Sequence, residues 1–246
     1  MLLKDKVAII TGSSSGIGRS AALMFAKAGA KVVINYRTNK SGAEAVAKEI
    51  KNGGGISHVV QADVADPNQV KKLFSETMKT FGTVDILINN AGLAKNIPFT
   101  ETTPTQLAEE FAKNFYSFFY CCQEAAKIMK PKKVGKIINV SSICGLTGCT
   151  TVLTFSTARA AVVDLTQSLA KILAPNIQVN SVAPGFTKTR FWDGMSADEE
   201  KELLNTTLSK KWVTSEEIAE AFLYLVINDS VTGQTLVVDG GYTATL

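Results

Sequence analysis

Near the start of the chain, Thr11-Gly12-Ser13-Ser14-Ser15-Gly16-Ile17-Gly18 sets three glycines in a GxxxGxG spacing. The run lies between an apolar stretch, Val7–Ile10, and a segment with helical spacing that begins at Arg19. That is a setting for phosphate chemistry. The first N–H groups of a helix have no partner within it and carry partial positive charge, which suits a pyrophosphate. Glycines there let the backbone approach the phosphates and let strand and helix pack closely. Gly12, Ser14, Ser15, Gly16, Ile17 and Gly18 are therefore candidates for holding a dinucleotide, a simple tight turn being the alternative.

Other chemistries find little support. His58 is the one histidine, so a histidine-based triad is not expected; it follows three glycines and reads as an edge residue of a strand. Four cysteines in 246 residues do not make a disulfide scaffold, and neither Cys121-Cys122 nor Cys144/Cys149 has the paired spacing of a zinc site. The net charge is +4, and the densest basic cluster, Lys127–Lys136, follows an apolar helix whose dipole accounts for cations there. No recognition motif accompanies it, and no nucleic-acid partner is expected. No stretch approaches the roughly 18 apolar residues of a membrane span. Charges at Lys4, Asp5 and Lys6 leave no apolar centre for a signal peptide, so a cytoplasmic protein is expected.

These residues must be held by elements that alternate between two periods. Strands are expected at Val7–Ile10, Lys31–Asn35, Val59–Val64, Val84–Asn89, Lys136–Ser141, Ile177–Val182 and Thr235–Val238. Helices are expected over Arg19–Ala28, Ser41–Lys51, Asn68–Thr80, Gln106–Lys130, Phe155–Leu173 and Ser215–Val226. Hydrophobic residues make up 46% of the chain, enough for a packed core. Alternation of this kind predicts an α/β fold: a three-layer, doubly wound Rossmann arrangement around a seven-stranded parallel sheet, as a single domain over residues 1–246. The polar segment 187–211 is long for a connection and reads either as a lid or as a surface excursion.

The chain resembles the short-chain dehydrogenase/reductase family from about Lys4 to Tyr242. The resemblance rests on Thr11–Gly18, Asp63-Val64, Asn89-Asn90-Ala91-Gly92, Asn114, Ser141-Ser142, Pro184-Gly185, and Thr232-Gly233 with Asp239-Gly240-Gly241. Within the family it is similar to the bacterial 3-oxoacyl-carrier-protein reductase and glucose dehydrogenase group. The resemblance implies a nicotinamide cofactor and a tetramer built on the two long helices. It places Asp63 and Val64 at the adenine. It places Asn89, Ala91 and Gly92 along the adenosine side, and Pro184, Gly185, Thr187 and Thr189 at the nicotinamide end. Phe111, Phe115, Phe118 and Phe119 would form either a partner-helix face or intrachain core. Cys144 and Cys149 fall where the family lines its substrate cleft, as reactive thiols or as small packing residues. Lys188, Arg190 and Trp192 fall in the lid, where the cations would meet an anionic substrate or only solvent.

The cofactor choice can be read from charge. A carboxylate at the end of the second strand would bind a ribose 2′-hydroxyl and repel a 2′-phosphate. That strand ends Asn35-Tyr36-Arg37, with no acid, and Arg37 can pair bidentately with a phosphate. NADP(H) is expected over NAD(H).

The resemblance fails at one place. The family's reaction uses a YxxxK pair, in which tyrosine donates a proton and lysine lowers its pKa and holds the ribose. Thirteen residues beyond Ser142 stands Phe155, and four beyond that stands Arg159. Asn114 and Ser142 keep the remaining catalytic positions, so the cofactor site reads as complete and the acid/base site as disabled. Three explanations stand open. One is a reductase of small carbonyls or acyl thioesters carrying knockout substitutions. Another is a natural non-catalytic homologue, an NADP-binding sensor or a partner subunit in a homotetramer or a hetero-oligomer with an active homologue. The third is a different reaction, since halohydrin dehalogenases carry arginine at this lysine position.

Overall fold

The computed structural model of the chain describes residues 1–189 and 192–246. Arg190, which the sequence places in the lid, lies outside them. The strands are β1 (Val7–Ile10), β2 (Lys31–Tyr36), β3 (Ile56–Gln61), β4 (Ile86–Asn89), β5 (Gly135–Val140), β6 (Ile177–Pro184) and β7 (Thr235–Val238). They form one seven-stranded sheet in the order β3-β2-β1-β4-β5-β6-β7. Every pairing is parallel.

Helices cover both faces because successive side chains on a strand point to opposite sides. On one face Ala8, Ile10, Val32, Ile34, Ile86 and Ile88 pack against α1 (Gly16–Lys27), α2 (Lys40–Asn52) and α9 (Ser215–Ile227). On the other, Ile9, Val33, Leu87, Ile137 and Val179 pack against α3 (Pro67–Phe81), α5 (Ser117–Lys132) and α7 (Leu153–Leu173). The three-layer Rossmann arrangement read from the sequence is present.

Most element ends differ from expectation by one to three residues, and two of the differences have a clear cause. The third strand runs Ile56–Gln61 rather than Val59–Val64, because its register is set by β2, with Lys31 opposite Ile56 and Tyr36 opposite Gln61. His58 lies on this edge strand, its ring edge-on to Phe81 at 6.3 Å. The long helix expected over Gln106–Lys130 is not continuous. It consists of α4 (Pro104–Phe111), a π-helical stretch at Ala112–Tyr116, and α5. Thr103 and Gln106 form a capping box at its start. Of the four phenylalanines there, Phe118 is buried against Val162 and Leu165 and Phe115 packs on that cluster, while Phe119 is exposed.

Segment 187–211 contains α8 (Ala197–Asn205), capped by Ser196 and Glu199, and it starts at a bridge between Thr187 and Val213. A short helix, α6 (Cys144–Thr147), precedes α7.

Candidate functional site

The carboxyl ends of β1, β4, β5 and β6 open onto a cleft of about 1440 Å³. The strand order reverses between β1 and β4, and ligands of doubly wound sheets bind at such a point.

The turn after β1 is laced into its neighbours by short side chains. Thr11 Oγ1 accepts from the N–H groups of Asn90 (2.9 Å) and Ala91 (3.0 Å). Asn35 Oδ1 accepts from the Gly12 N–H (3.1 Å), and Asn35 Nδ2 donates to the Ala62 carbonyl (3.0 Å). Gly12 has φ +65°, and a Cβ on it would lie 3.0 Å from the Ala91 backbone. Gly18 does not line the cleft. A side chain on it would lie 2.6 Å from both the Gly12 carbonyl oxygen and Asn90 Nδ2, so this glycine permits the close packing of turn and helix. Ser15 is the N-cap of α1, its side chain takes no capping bond, and the first turn carries no acid. The helix therefore presents its open N–H groups and positive end where Gly12, Ser14, Ser15 and Ile17 form the wall.

Asp63, Val64, Ala91, Gly92, Pro184, Gly185, Thr187 and Thr189 all line the same cleft. Gly16 is not among the lining residues, and neither is Asn89. Asn89 is buried beneath the floor, its Nδ2 donating to Asn139 Oδ1 (2.9 Å) and to Cys122 Sγ (3.2 Å). Its amide is spent on tying β4 to β5 and α5. At the far end, half-exposed Arg37 sits 3.7 Å from Asp63, and no acid other than Asp63 pairs with it among the described residues.

The other end holds Ser142, Phe155 and Arg159. Arg159 is 3% exposed. It donates from Nη1 to the Val140 carbonyl (2.6 Å) and from Nη2 to Asn114 Oδ1 (3.3 Å), and Nε has no partner. Its guanidinium carbon lies against two rings, 4.7 Å from the centre of Phe118 and 4.9 Å from that of Phe155. Burial without a carboxylate partner lowers its pKa to about 9, so it is still a cation at neutral pH.

Asn114, on the π-helical stretch, is the hub of this end. Its Oδ1 also accepts from the Leu93 N–H (3.1 Å), and its Nδ2 donates to the carbonyls of Leu93 (2.9 Å) and Glu110 (3.0 Å). The extra residue per turn in a π segment re-aims one side chain, here toward Arg159. Glu110 was not legible in the sequence as part of this network. It is 1% exposed, its Oε1 has no hydrogen-bond partner, and burial raises its pKa. Lys113 Nζ stands 3.9 Å away.

Sequence reasoning also missed an aromatic wall. Phe186 packs edge-on to Tyr242 (5.0 Å) and to Trp192 (5.9 Å), and Trp192 in turn meets Trp212 (5.5 Å). Asp239 accepts from the N–H groups of Gly241 (2.8 Å) and Thr243 (2.7 Å), fixing the turn that carries Tyr242. Lys188 pairs with Glu200 at 3.3 Å, so this lid cation already has an acidic partner.

This fold, with a glycine turn at the strand reversal and a serine and asparagine at the opposite end, defines a class: the chain belongs to the short-chain dehydrogenase/reductase family. Residues 12–243 match a family described as enoyl-(acyl carrier protein) reductase. The 3-oxoacyl-[acyl-carrier-protein] reductase FabG of Staphylococcus aureus (strain N315) is 36% identical over 239 residues, which cover 96% of this chain and 97% of that protein. The 3-oxoacyl-[acyl-carrier-protein] reductase of Synechocystis is 35% identical, with 97% of each chain covered. Two solved structures superpose closely. A short chain dehydrogenase of Burkholderia cenocepacia J2315 in complex with NADP has a TM-score of 0.92 and 29% identity, covering 99% of this chain and 100% of that one. A 7α-hydroxysteroid dehydrogenase complexed with NADH and 7-oxo glycochenodeoxycholic acid has a TM-score of 0.93 and 31% identity, covering 97% and 94%. No helix among the described residues is long and apolar enough to cross a membrane.

Proposed function

We propose that this chain is an NADP-binding, single-domain oxidoreductase scaffold of the carbonyl–alcohol type whose proton-donating position is disabled. The observation that carries this reading is the contrast between the two ends of one cleft. The acid-free N-terminus of α1, Gly12 approaching Ala91, and Arg37 at the end of β2 make a cradle for a 2′-phosphorylated dinucleotide. Opposite it, Phe155 and Arg159 line the cleft, at the positions where the family resemblance implies a phenol and an ammonium.

When bound, NADPH supplies a hydride to a carbonyl carbon. The chain's own residues would do the rest. The Ser142 hydroxyl would hold the carbonyl oxygen, and Asn114 would keep Arg159 in place. Arg159 would offer positive charge to the developing oxyanion. Phe155 has no proton to give, and loss of a positioned general acid costs about 10²–10⁴-fold in rate. The named relatives support an acyl thioester or a small ketone as substrate. Exposed Leu107, Tyr116 and Phe119 on α4 through α5 support the tetramer that the family resemblance implied.

A second reading, a cofactor-binding partner subunit without turnover, is favoured by the inward packing of Arg159, both of whose Nη groups are already committed. One experiment separates them. NADPH binding is followed by fluorescence, and NADPH oxidation is measured with β-keto thioesters and small ketones, for this chain and for its Phe155→Tyr, Arg159→Lys variant. Binding by both with turnover by the variant alone supports the scaffold reading. Binding by both without turnover supports the partner subunit. No binding overturns both readings.

A further inference from the structure

Building on the dinucleotide reading, we propose that Arg159 makes the cleft selective for the oxidation state of its ligand. The cleft takes NADPH, whose nicotinamide ring is uncharged, and disfavours NADP⁺, whose ring is a cation.

Charge is spread unevenly along the cleft. Among its described lining residues the only acid is Asp63, which stands at the adenosine end, 3.7 Å from Arg37. The opposite end is lined by two cations, Lys113 and Arg159, and by no acid. Lys113 is neutralised by Glu109 at 3.4 Å, with Glu110 a further 3.9 Å contact. Arg159 has no such partner. The Val140 carbonyl and the Asn114 amide oxygen that accept from it are neutral, and its Nε is bonded to nothing. In this network the acid next along is Glu110, on the far side of Asn114, with its Oε2 3.5 Å from Asn114 Nδ2, and Lys113 already stands beside it.

Arg159 also sits on the path of the ligand. Its Nη2 lies against Gly92, close enough that a Cβ there would collide with it. Its Nη1 is fixed to the end of β5, and that end is tied to β6, the Ile143 N–H donating to the Pro184 carbonyl (3.1 Å). The guanidinium thus stands between Gly92 in the middle of the cleft and Pro184-Gly185, the stretch to which the family resemblance assigns the nicotinamide. Around a buried residue the field is screened less than at a surface. The phosphates and the adenosine are the same in both forms of the cofactor, so the discrimination falls on the ring. Two unit charges about 10 Å apart in an effective dielectric of about 20 change a dissociation constant roughly tenfold. In a chain with no phenol to donate a proton, such a cleft fills when the cofactor pool is reduced and empties when it is oxidised.

The test is a binding measurement and needs no substrate. Dissociation constants of NADPH and NADP⁺ are obtained by calorimetry at neutral pH for the full chain and four variants. The wild type is expected to bind NADPH about tenfold or more tighter than NADP⁺. Arg159→Met removes the charge and is expected to bring the two constants within about threefold of each other. Asn114→Asp keeps the arginine but sets a carboxylate against its Nη2, and is expected to do the same, which covers the case in which Arg159→Met does not fold. Arg159→Lys is expected to keep the wild-type ratio. Arg37→Ala, at the far end of the cleft, is expected to weaken both forms alike and leave the ratio where it was. Equal wild-type constants, or a wild-type ratio that survives in Arg159→Met or Asn114→Asp, refute the selectivity and leave the dinucleotide reading standing. Binding of neither form by the wild type overturns that reading and the selectivity with it.

Discussion

Phe155 and Arg159 lie against each other, the guanidinium carbon 4.9 Å from the centre of the ring. The two departures from the YxxxK pattern are thus one packing unit, which the Phe118 ring joins at 4.7 Å from the same carbon. A planar guanidinium stacks on aromatic faces where an ammonium would remain a hydrated point charge, so arginine suits this slot once the phenol hydroxyl has gone. A double-mutant cycle of Phe155→Leu and Arg159→Met, read by urea unfolding, should return a coupling of about 0.5–2 kcal/mol. Additive single effects would show that the contact contributes nothing.

Arg37 should decide the cofactor. A charge-assisted hydrogen bond contributes about 1.5–3 kcal/mol. Arg37→Ala should therefore weaken NADPH roughly 10–100-fold while changing NADH little, as measured by fluorescence titration. Equal losses for the two cofactors would place Arg37 away from the 2′-phosphate.

Gly92 is held to glycine by its neighbours. A Cβ there would collide with Nη2 of Arg159 and lie 2.8 Å from Asn114 Oδ1. Arg159 is held by its bond to the Val140 carbonyl and by two rings, so withdrawing it would give up those contacts. Gly92→Ala should cost about 1–3 kcal/mol of stability, as overpacking does. Combined with Arg159→Ala it should cost less than the two single changes together, because the colliding atom is gone. Thermal melts of the four chains check this.

Glu110 gives the molecule a pH dependence. Burial raises its pKa above the ordinary glutamate value of 4.5, with Lys113 and Lys95 opposing the shift. Between 4.5 and its raised native value the folded chain holds a proton that the unfolded chain has released. Stability from this group is therefore complete below 4.5 and is lost as pH rises through the native value. Glu110→Gln carries no such titration. Its urea midpoint relative to wild type should rise between pH 4 and pH 7, and a constant difference would refute the burial argument.

What could be read in advance follows from how local each cause is. β1 and β7 have the ends that the apolar pattern marks, since Val7–Ile10 and Thr235–Val238 are bounded by Lys6 and Asp239. The start of β3 was not legible, because Ile56-Ser57-His58 becomes strand only by pairing with β2, a partner some 25 residues away in the chain. Nothing in the even apolar spacing of Gln106–Lys130 marks the π insertion, which answers to Leu93 and Arg159 from other parts of the chain. Phe155 and Arg159 were found by counting. That they touch, and that Asn89 faces Asn139 rather than the cleft, depended on packing between elements far apart in sequence.

The reversal of strand order at β1 also sets a timetable for synthesis. β2 and β3 follow β1 directly and can build outward on one side of it, but the other side waits for β4, which emerges only after α3. At roughly 5–20 residues per second, the unpaired backbone of Val7–Ile10 stays open on the ribosome for several seconds. An unpaired parallel edge of four apolar residues is a template for wrong pairing. The vulnerable moment in the life of this protein thus comes before half of it has been made.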